Sequence, residues 1–192
     1  MGRSAEAISE MRQAQEVDPL SSIAGTFLAR AYYYGREYDK AIAQYRAVLQ
    51  TDPGFAIASS FLVHAYEQTD QFDDAIAECR RAIPLAGGEM NAAAQFTDAL
   101  ARAFKSRGPA GYWQARLESA GNASSLDRAA LQARLGHTDQ ALEELNKAYA
   151  EHDIWLVPLK VDPQWDMIRS DSRFKTLLQQ VGLDQHAEGA RD

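Results

Sequence analysis

Residues 22–55 read SIAGTFLARAYYYGREYDKAIAQYRAVLQTDPGF, and residues 56–89 read AIASSFLVHAYEQTDQFDDAIAECRRAIPLAGGE. When the second stretch is written beneath the first, similar residues meet at a fixed offset of 34 positions. The matched columns, some of which extend to the preceding residues, are Ala7, Ala41 and Ala75; Met11, Tyr45 and Cys79; Ala14, Val48 and Ala82; Pro19 and Pro53; Leu28 and Leu62; Tyr32 and Tyr66; Tyr38 and Phe72. The period indicates an internal repeat whose units stack on one another.

The residue types within one period predict two helices that pack closely. In residues 22–55 the first helix, helix A, carries Leu28 and Tyr32 on its packing stripe, at the spacing of one helical turn. The second, helix B, carries Ala41 and Tyr45 likewise. Helix B ends at Asp52-Pro53, because the residue before a proline is disfavoured in the α region. Each period is therefore expected to be a helical hairpin.

A 34-residue helical hairpin with small residues, aromatics and a closing proline at fixed offsets resembles the tetratricopeptide repeat (TPR). The resemblance implies an all-α fold. It would be a right-handed TPR α-solenoid of antiparallel helix pairs, closed by a C-terminal helical cap.

The repeat predicts one array over residues 1–183. The third repeat is shifted four residues along the chain, with Leu100 and Phe104 on its helix A and Gly108 in its turn. The predicted segments are a half repeat at 3–19, repeats at 22–55, 56–89, about 94–120 and 122–153, capping helices at 154–183, and a disordered tail at 184–192.

The closing stretch, residues 155–183, reads WLVPLKVDPQWDMIRSDSRFKTLLQQVGL and has no counterpart one period away. It resembles the segment that ends TPR regions in bacterial signalling proteins, among them winged-helix regulators, adenylate cyclases and protein kinases. Here Ser172 replaces the usual proline, and Pro158 interrupts the first part. The resemblance implies a region of a larger bacterial regulatory protein in the cytoplasm. Physically, Trp165 and Phe174 are expected to cover the last repeat.

Composition excludes several classes of function. The net charge is −7 and no stretch is rich in lysine and arginine, so direct nucleic-acid binding and attraction to an anionic membrane are disfavoured. The four histidines lack the spacing of a metal site, and the single cysteine, Cys79, lies in a packing column. No catalytic motif is present. We therefore predict a protein that is not an enzyme and that has no metal and no cofactor.

The resemblance also implies a binding surface, because helices A line the concave groove of TPR arrays. Arginine and aromatic side chains supply much of the binding energy in protein recognition, which favours a groove for a peptide or a partner protein. The alternative is that the same rings are core residues. The carboxylate clamp of chaperone-binding TPR domains is absent, since Thr26, Arg30 and Phe61 occupy its positions. The predicted groove residues are Phe27, Arg30, Tyr33, Tyr34, Phe61, His64 and Glu67.

The half repeat at 3–19 supports a second hypothesis. It has the helix B pattern without a preceding helix A, so Ile8 and Met11 are expected to form an exposed apolar edge. Such an edge is consistent either with a fragment of a longer protein or with a homodimer that pairs two copies of the helix. A small-ligand binder or an enzyme is the least favoured reading, because no constellation of site residues supports it.

Overall fold

The computed structural model describes residues 4–121 and 123–183. The chain divides into two compact units, Met1–Tyr112 and Trp113–Asp192. Within the described residues all regular structure is helical, which confirms the all-α prediction. The α-helices are α1 Ser4–Val17, α2 Ser22–Tyr34, α3 Tyr38–Thr51, α4 Ala56–Gln68, α5 Phe72–Leu85, α6 Met90–Glu118, α7 Ser125–Arg134, α8 Thr138–Ala150 and α9 Ser172–Gln180, with 3₁₀ turns at Ile154–Leu156 and Pro163–Trp165.

The first unit is a helical repeat. Helices α2 and α3 pack as one hairpin and α4 and α5 as the next, while α1 packs on α2 and α3 on α4. The two hairpins correspond to the predicted repeats 22–55 and 56–89. Alanines at Ala29, Ala41, Ala58, Ala65 and Ala75 are fully buried, so the helix backbones approach closely there. For the first unit, the predicted stacking of helical hairpins is therefore confirmed.

Helix α1 does not present the predicted apolar edge. Ile8 is only 8% exposed, and Met11 is partly buried against the same core cluster. Ile8 shares its column with Ile42 and Ile76, which are also buried, because this side of each helix B packs on the next hairpin. The side of α1 that is exposed instead carries small residues such as Ala7. The prediction of an exposed Ile8 and Met11 stripe is therefore wrong.

In the first unit, an arginine links each of α1, α3 and α5 to the helix A that follows it. The Nε of Arg12 donates to the hydroxyl of Tyr32 at 2.9 Å, and the Nε of Arg46 donates to that of Tyr66 at 2.7 Å. One period later the Nε of Arg80 donates to Thr97 Oγ1 at 2.9 Å. Burial raises the pKa of Tyr66, although the hydrogen bond from Arg46 acts in the opposite direction, so the phenol stays neutral.

Replacing Arg46 with methionine should destabilise the first unit by about 1–2 kcal/mol, because the buried Tyr66 hydroxyl loses its charged donor. Urea denaturation of the variant measures this. Lys40→Met is the matched control on the same helix, since its exposed ion pair with Glu37 contributes little. In a double-mutant cycle with Tyr66→Phe, most of the loss in the free energy of unfolding should appear as coupling energy between Arg46 and Tyr66. Equal stability of Arg46→Met and Lys40→Met would contradict the link.

Helix α6 is broken at Gly108, whose φ of 62° and ψ of −151° are not helical. The chain reverses there, as the predicted turn requires, and Gly111 comes against the backbone of Ala103. The boundary between the two units falls just after Tyr112, inside the predicted third repeat at about 94–120. One continuous array over 1–183 stays a prediction.

The second unit is built on the hairpin of α7 and α8. Ser124 caps α7 by accepting a hydrogen bond from the backbone N–H of Asp127, and Asp171 caps α9 in the same way from Arg173. The fully or almost fully buried Trp165 and Phe174 belong to the same core cluster as Leu145 of α8. The predicted burial of Trp165 and Phe174 is confirmed.

Three predicted segments reach residues outside the described part of the chain. The half repeat begins at Arg3, the fourth repeat begins at Asn122, and the predicted tail comprises residues 184–192.

Candidate peptide-binding surface

An apolar line is exposed along α2 and α4. Both helices bury the stripe that packs on the neighbouring helices, and this leaves Ile23 59%, Phe27 47% and Ile57 52% exposed. Ile23 and Ile57 are 34 residues apart, as are Phe27 and Phe61, so the line repeats with the hairpins. We call this side of the two helices the A-helix surface; it consists of Ile23, Phe27, Arg30, Ile57, Phe61 and His64.

Arg30 lies among aromatic rings from both helices. Its guanidinium carbon is 4.4 Å from the centroid of the Phe61 ring, 5.6 Å from that of Phe27 and 5.4 Å from that of Tyr34. Its Nη2 also donates to the Tyr34 hydroxyl at 2.7 Å. These cation–π contacts join α2 to α4 and hold the charged group against the apolar line.

Phe61 connects the A-helix surface to the core. Its ring stacks on the fully buried Tyr45, with centroids 6.3 Å apart, and meets the His64 ring edge to face at 6.1 Å. Phe61 is accordingly only partly exposed, whereas Phe27 projects further into solvent. Phe27 is therefore the better anchor for a ligand, and Phe61 is partly a core residue, as the alternative reading of these rings anticipated.

Two of the predicted groove residues do not present surface. Tyr33 is 5% exposed and packs edge to face between the rings of Tyr34 and Tyr38, because its side of α2 faces the start of α3. Glu67 is also 5% exposed, and its carboxylate accepts a hydrogen bond from the Tyr112 hydroxyl at 2.6 Å. The prediction that Tyr33 and Glu67 line an open groove is wrong. Tyr34 is half-buried and borders the surface through its contact with Arg30.

A second concavity lies on the side of the first unit that carries Arg46 and Arg81. It has a volume of about 330 Å³. The Arg81 guanidinium donates to the Glu78 carboxylate, to Ser59 Oγ and to the carbonyl of Pro53, and the hydrogen bond with Glu78 raises the pKa of Arg81. These bonds tie α5 to α4 and to the turn before it, so the charged groups here are used in holding the hairpins together.

Sequence reasoning missed the arginine column of Arg12, Arg46 and Arg80, although its 34-residue spacing is visible in the sequence. It also missed Tyr112 as the partner of Glu67, for which no local pattern exists because the two residues are 45 positions apart. Across residues 4–121 and 123–183, no three His, Cys, Asp or Glu side chains are grouped to hold a metal ion. In the same residues no helix combines the length and the apolar character needed to span a bilayer.

Comparison with known families agrees with this architecture. Residues 26–89, which begin inside α2 and end beyond α5, match the family model of the tetratricopeptide repeat. No curated protein matches the chain significantly. The match supports a TPR protein, and TPR repeats generally mediate protein–protein interaction.

Proposed function

We propose that this chain is a non-catalytic interaction module that binds a peptide or a segment of a partner protein on the A-helix surface. The observation that carries the proposal is the exposed line of Ile23, Phe27 and Ile57 beside the Arg30 cluster. Exposed apolar side chains that adjoin one another and are bordered by polar groups are typical of interaction sites. The side of the array that helices A line is also the one that TPR arrays use for ligands.

The energetics favour this surface as a binding site. Aromatic residues and arginine are enriched among the side chains that dominate binding energy. Contacts among Phe27, Arg30 and Phe61 already order these side chains, so a ligand loses less conformational entropy in ordering them.

The wider context belongs to the same proposal. We infer that the module is part of a larger bacterial regulatory protein and acts in the cytoplasm. The support is the resemblance of residues 155–183 to the closing segments of TPR regions in bacterial signalling proteins. Self-association through α1 is not proposed, because the exposed stripe of Ile8 and Met11 on which it depended is absent.

The test is a peptide-array screen with the parent chain and with Phe27→Ala. Loss of one buried aromatic anchor costs about 2 kcal/mol, so peptides bound by the parent should bind the variant roughly 30-fold more weakly. Phe27 is suited to the test because half of its side chain is exposed and its removal leaves the core intact. Circular dichroism checks that helicity is retained.

Leu85→Ala is the matched control, since Leu85 is similarly exposed at the end of α5 and lies off the A-helix surface. Binding should be unchanged in this variant. A folded Phe27→Ala protein that keeps full affinity for every ligand of the parent would contradict binding at this surface.

A further inference from the structure

Charge is distributed unequally between the two sets of helices in the first unit. Helices α1, α3 and α5, which are helices B, contain seven carboxylates and five basic side chains. Helices α2 and α4, together with residues 90–107 of α6, contain two carboxylates and four basic side chains. Although the chain has a net charge of −7, its helices A are therefore basic.

Both carboxylates on the helices A are engaged within the protein. Glu67 is buried and accepts the hydrogen bond from Tyr112. Asp98 forms an ion pair with Arg80 of α5. Each of the two carboxylates therefore already has a partner within the protein.

Nitrogen-bearing side chains recur at one position of successive helices A. Arg30 of α2 is followed 34 residues later by His64 of α4, and 38 residues later by Arg102 of α6. The four additional residues correspond to the longer third period, in which Leu100 takes the place of Leu62. Arg30 and His64 are partly exposed, and Arg102 is exposed. The column runs beside the apolar line of Ile23 and Ile57.

We propose, building on the proposed function, that the ligand of the A-helix surface is an acidic and apolar peptide in an extended conformation. Carboxylates on the peptide would pair with the column of Arg30, His64 and Arg102, and aliphatic or aromatic side chains would cover Phe27 and Ile57. Charge complementarity of this kind gives specificity and speeds association.

The geometry sets the spacing of the carboxylates. Packed helices lie about 8–10 Å apart, and α2 and α4 are in direct contact. An extended chain in the polyproline II conformation advances about 3.1 Å per residue with three residues per turn, so it passes from α2 to α4 in about three residues and turns every third side chain to the same side. The ligand therefore carries Asp or Glu at every third position, with apolar residues between them.

Synthetic peptides of about twelve residues test this inference directly. An extended peptide of this length is long enough to reach α2, α4 and α6. In one peptide Glu occupies every third position with Leu and Ser between, and in two others Gln or Lys replaces Glu. Fluorescence anisotropy with the full chain should give at least about tenfold tighter binding of the Glu peptide than of the Gln peptide, weaker binding still of the Lys peptide, and loss of the preference at high salt.

A pair of charge reversals locates the effect. Arg102→Glu should abolish the preference for the Glu peptide, whereas Lys40→Glu, an equal change of charge on helix α3, should preserve it. Both side chains are exposed, so neither change disturbs the core. If both variants lost the preference for the Glu peptide equally, the proposed role of the column would be contradicted, because the result would show that only net charge matters.

Two results separate this inference from the proposed function. If the Gln peptide binds as tightly as the Glu peptide and Phe27→Ala weakens both, the acidic ligand is overturned and the binding surface stands. If none of the three peptides binds the parent chain, the acidic ligand is overturned, and the array screen with Phe27→Ala then decides the proposed function independently.

Discussion

Replacing Phe174 with alanine should lower the stability of the second unit by roughly 3–5 kcal/mol. The ring is 0% exposed and packs with Trp165, whose ring centroid is 6.4 Å away, in the core that α8 and α9 share. Truncation removes apolar contacts and leaves a cavity that the rigid helices cannot close. In a unit of this size such a loss lowers the melting temperature by more than about 10 °C.

The position of the tryptophans allows this effect to be measured in the full chain. Trp155 and Trp165 lie in the closing segment and Trp113 is the first residue of the second unit, so tryptophan fluorescence follows that unit during thermal unfolding. Met167→Ala is the control from the same segment, because Met167 is largely exposed and its loss should change stability by less than about 0.5 kcal/mol. If Phe174→Ala melts with the parent, the closing segment does not cap the repeat and its packing on α8 contributes nothing.

Gly111→Ala should destabilise the first unit by about 3 kcal/mol. A Cβ atom at this position would overlap the carbonyl oxygen of Ala103 and come within 2.7 Å of the Cβ of Arg107. Because the Ala103 oxygen belongs to the backbone, the two halves of α6 would have to separate to accommodate a methyl group. The decrease in the free energy of unfolding is therefore expected at the upper end of the range for substitutions that overpack a core.

Gly54→Ala is the appropriate control, since the nearest atom to an added methyl group there is Asp52 Oδ1 at 3.9 Å. Urea denaturation followed by circular dichroism should place Gly54→Ala close to the parent and Gly111→Ala well below it. Coincident denaturation curves for all three proteins would show that the hairpin at Gly108 does not close as tightly in solution.

The helix pairs are predictable from sequence because their determinants are local and periodic. Alanines such as Ala41 and Ala75, tyrosines such as Tyr45, and the stop at Asp52-Pro53 recur in register and specify close packing without knowledge of distant contacts. The turn at Gly108 was predictable for the same reason, even though the period is longer there.

The state of individual surface residues was less predictable, because it depends on contacts that periodicity does not encode. Tyr33 is buried because Tyr38 begins the next helix beside it, and Glu67 is buried because a distant tyrosine supplies a donor. Ile8 was assigned to an open edge because helix B was considered without the helix on which it packs. Phe27 remains exposed as predicted, because none of the described helices covers its side of α2.

The arginine column also bears on how the first unit folds. Stacked repeats gain much of their cooperativity from the interfaces between neighbours, so the strength of each interface decides which repeats unfold together. Arg12 and Arg46 each place a guanidinium over a tyrosine ring as well as bonding its hydroxyl, whereas Arg80 bonds Thr97 and forms an exposed ion pair with Asp98 at the junction of α5 and α6. Exposed ion pairs contribute little to stability. Within the first unit, unfolding should consequently begin at that junction and leave helices α1 to α5 as the last structure to melt.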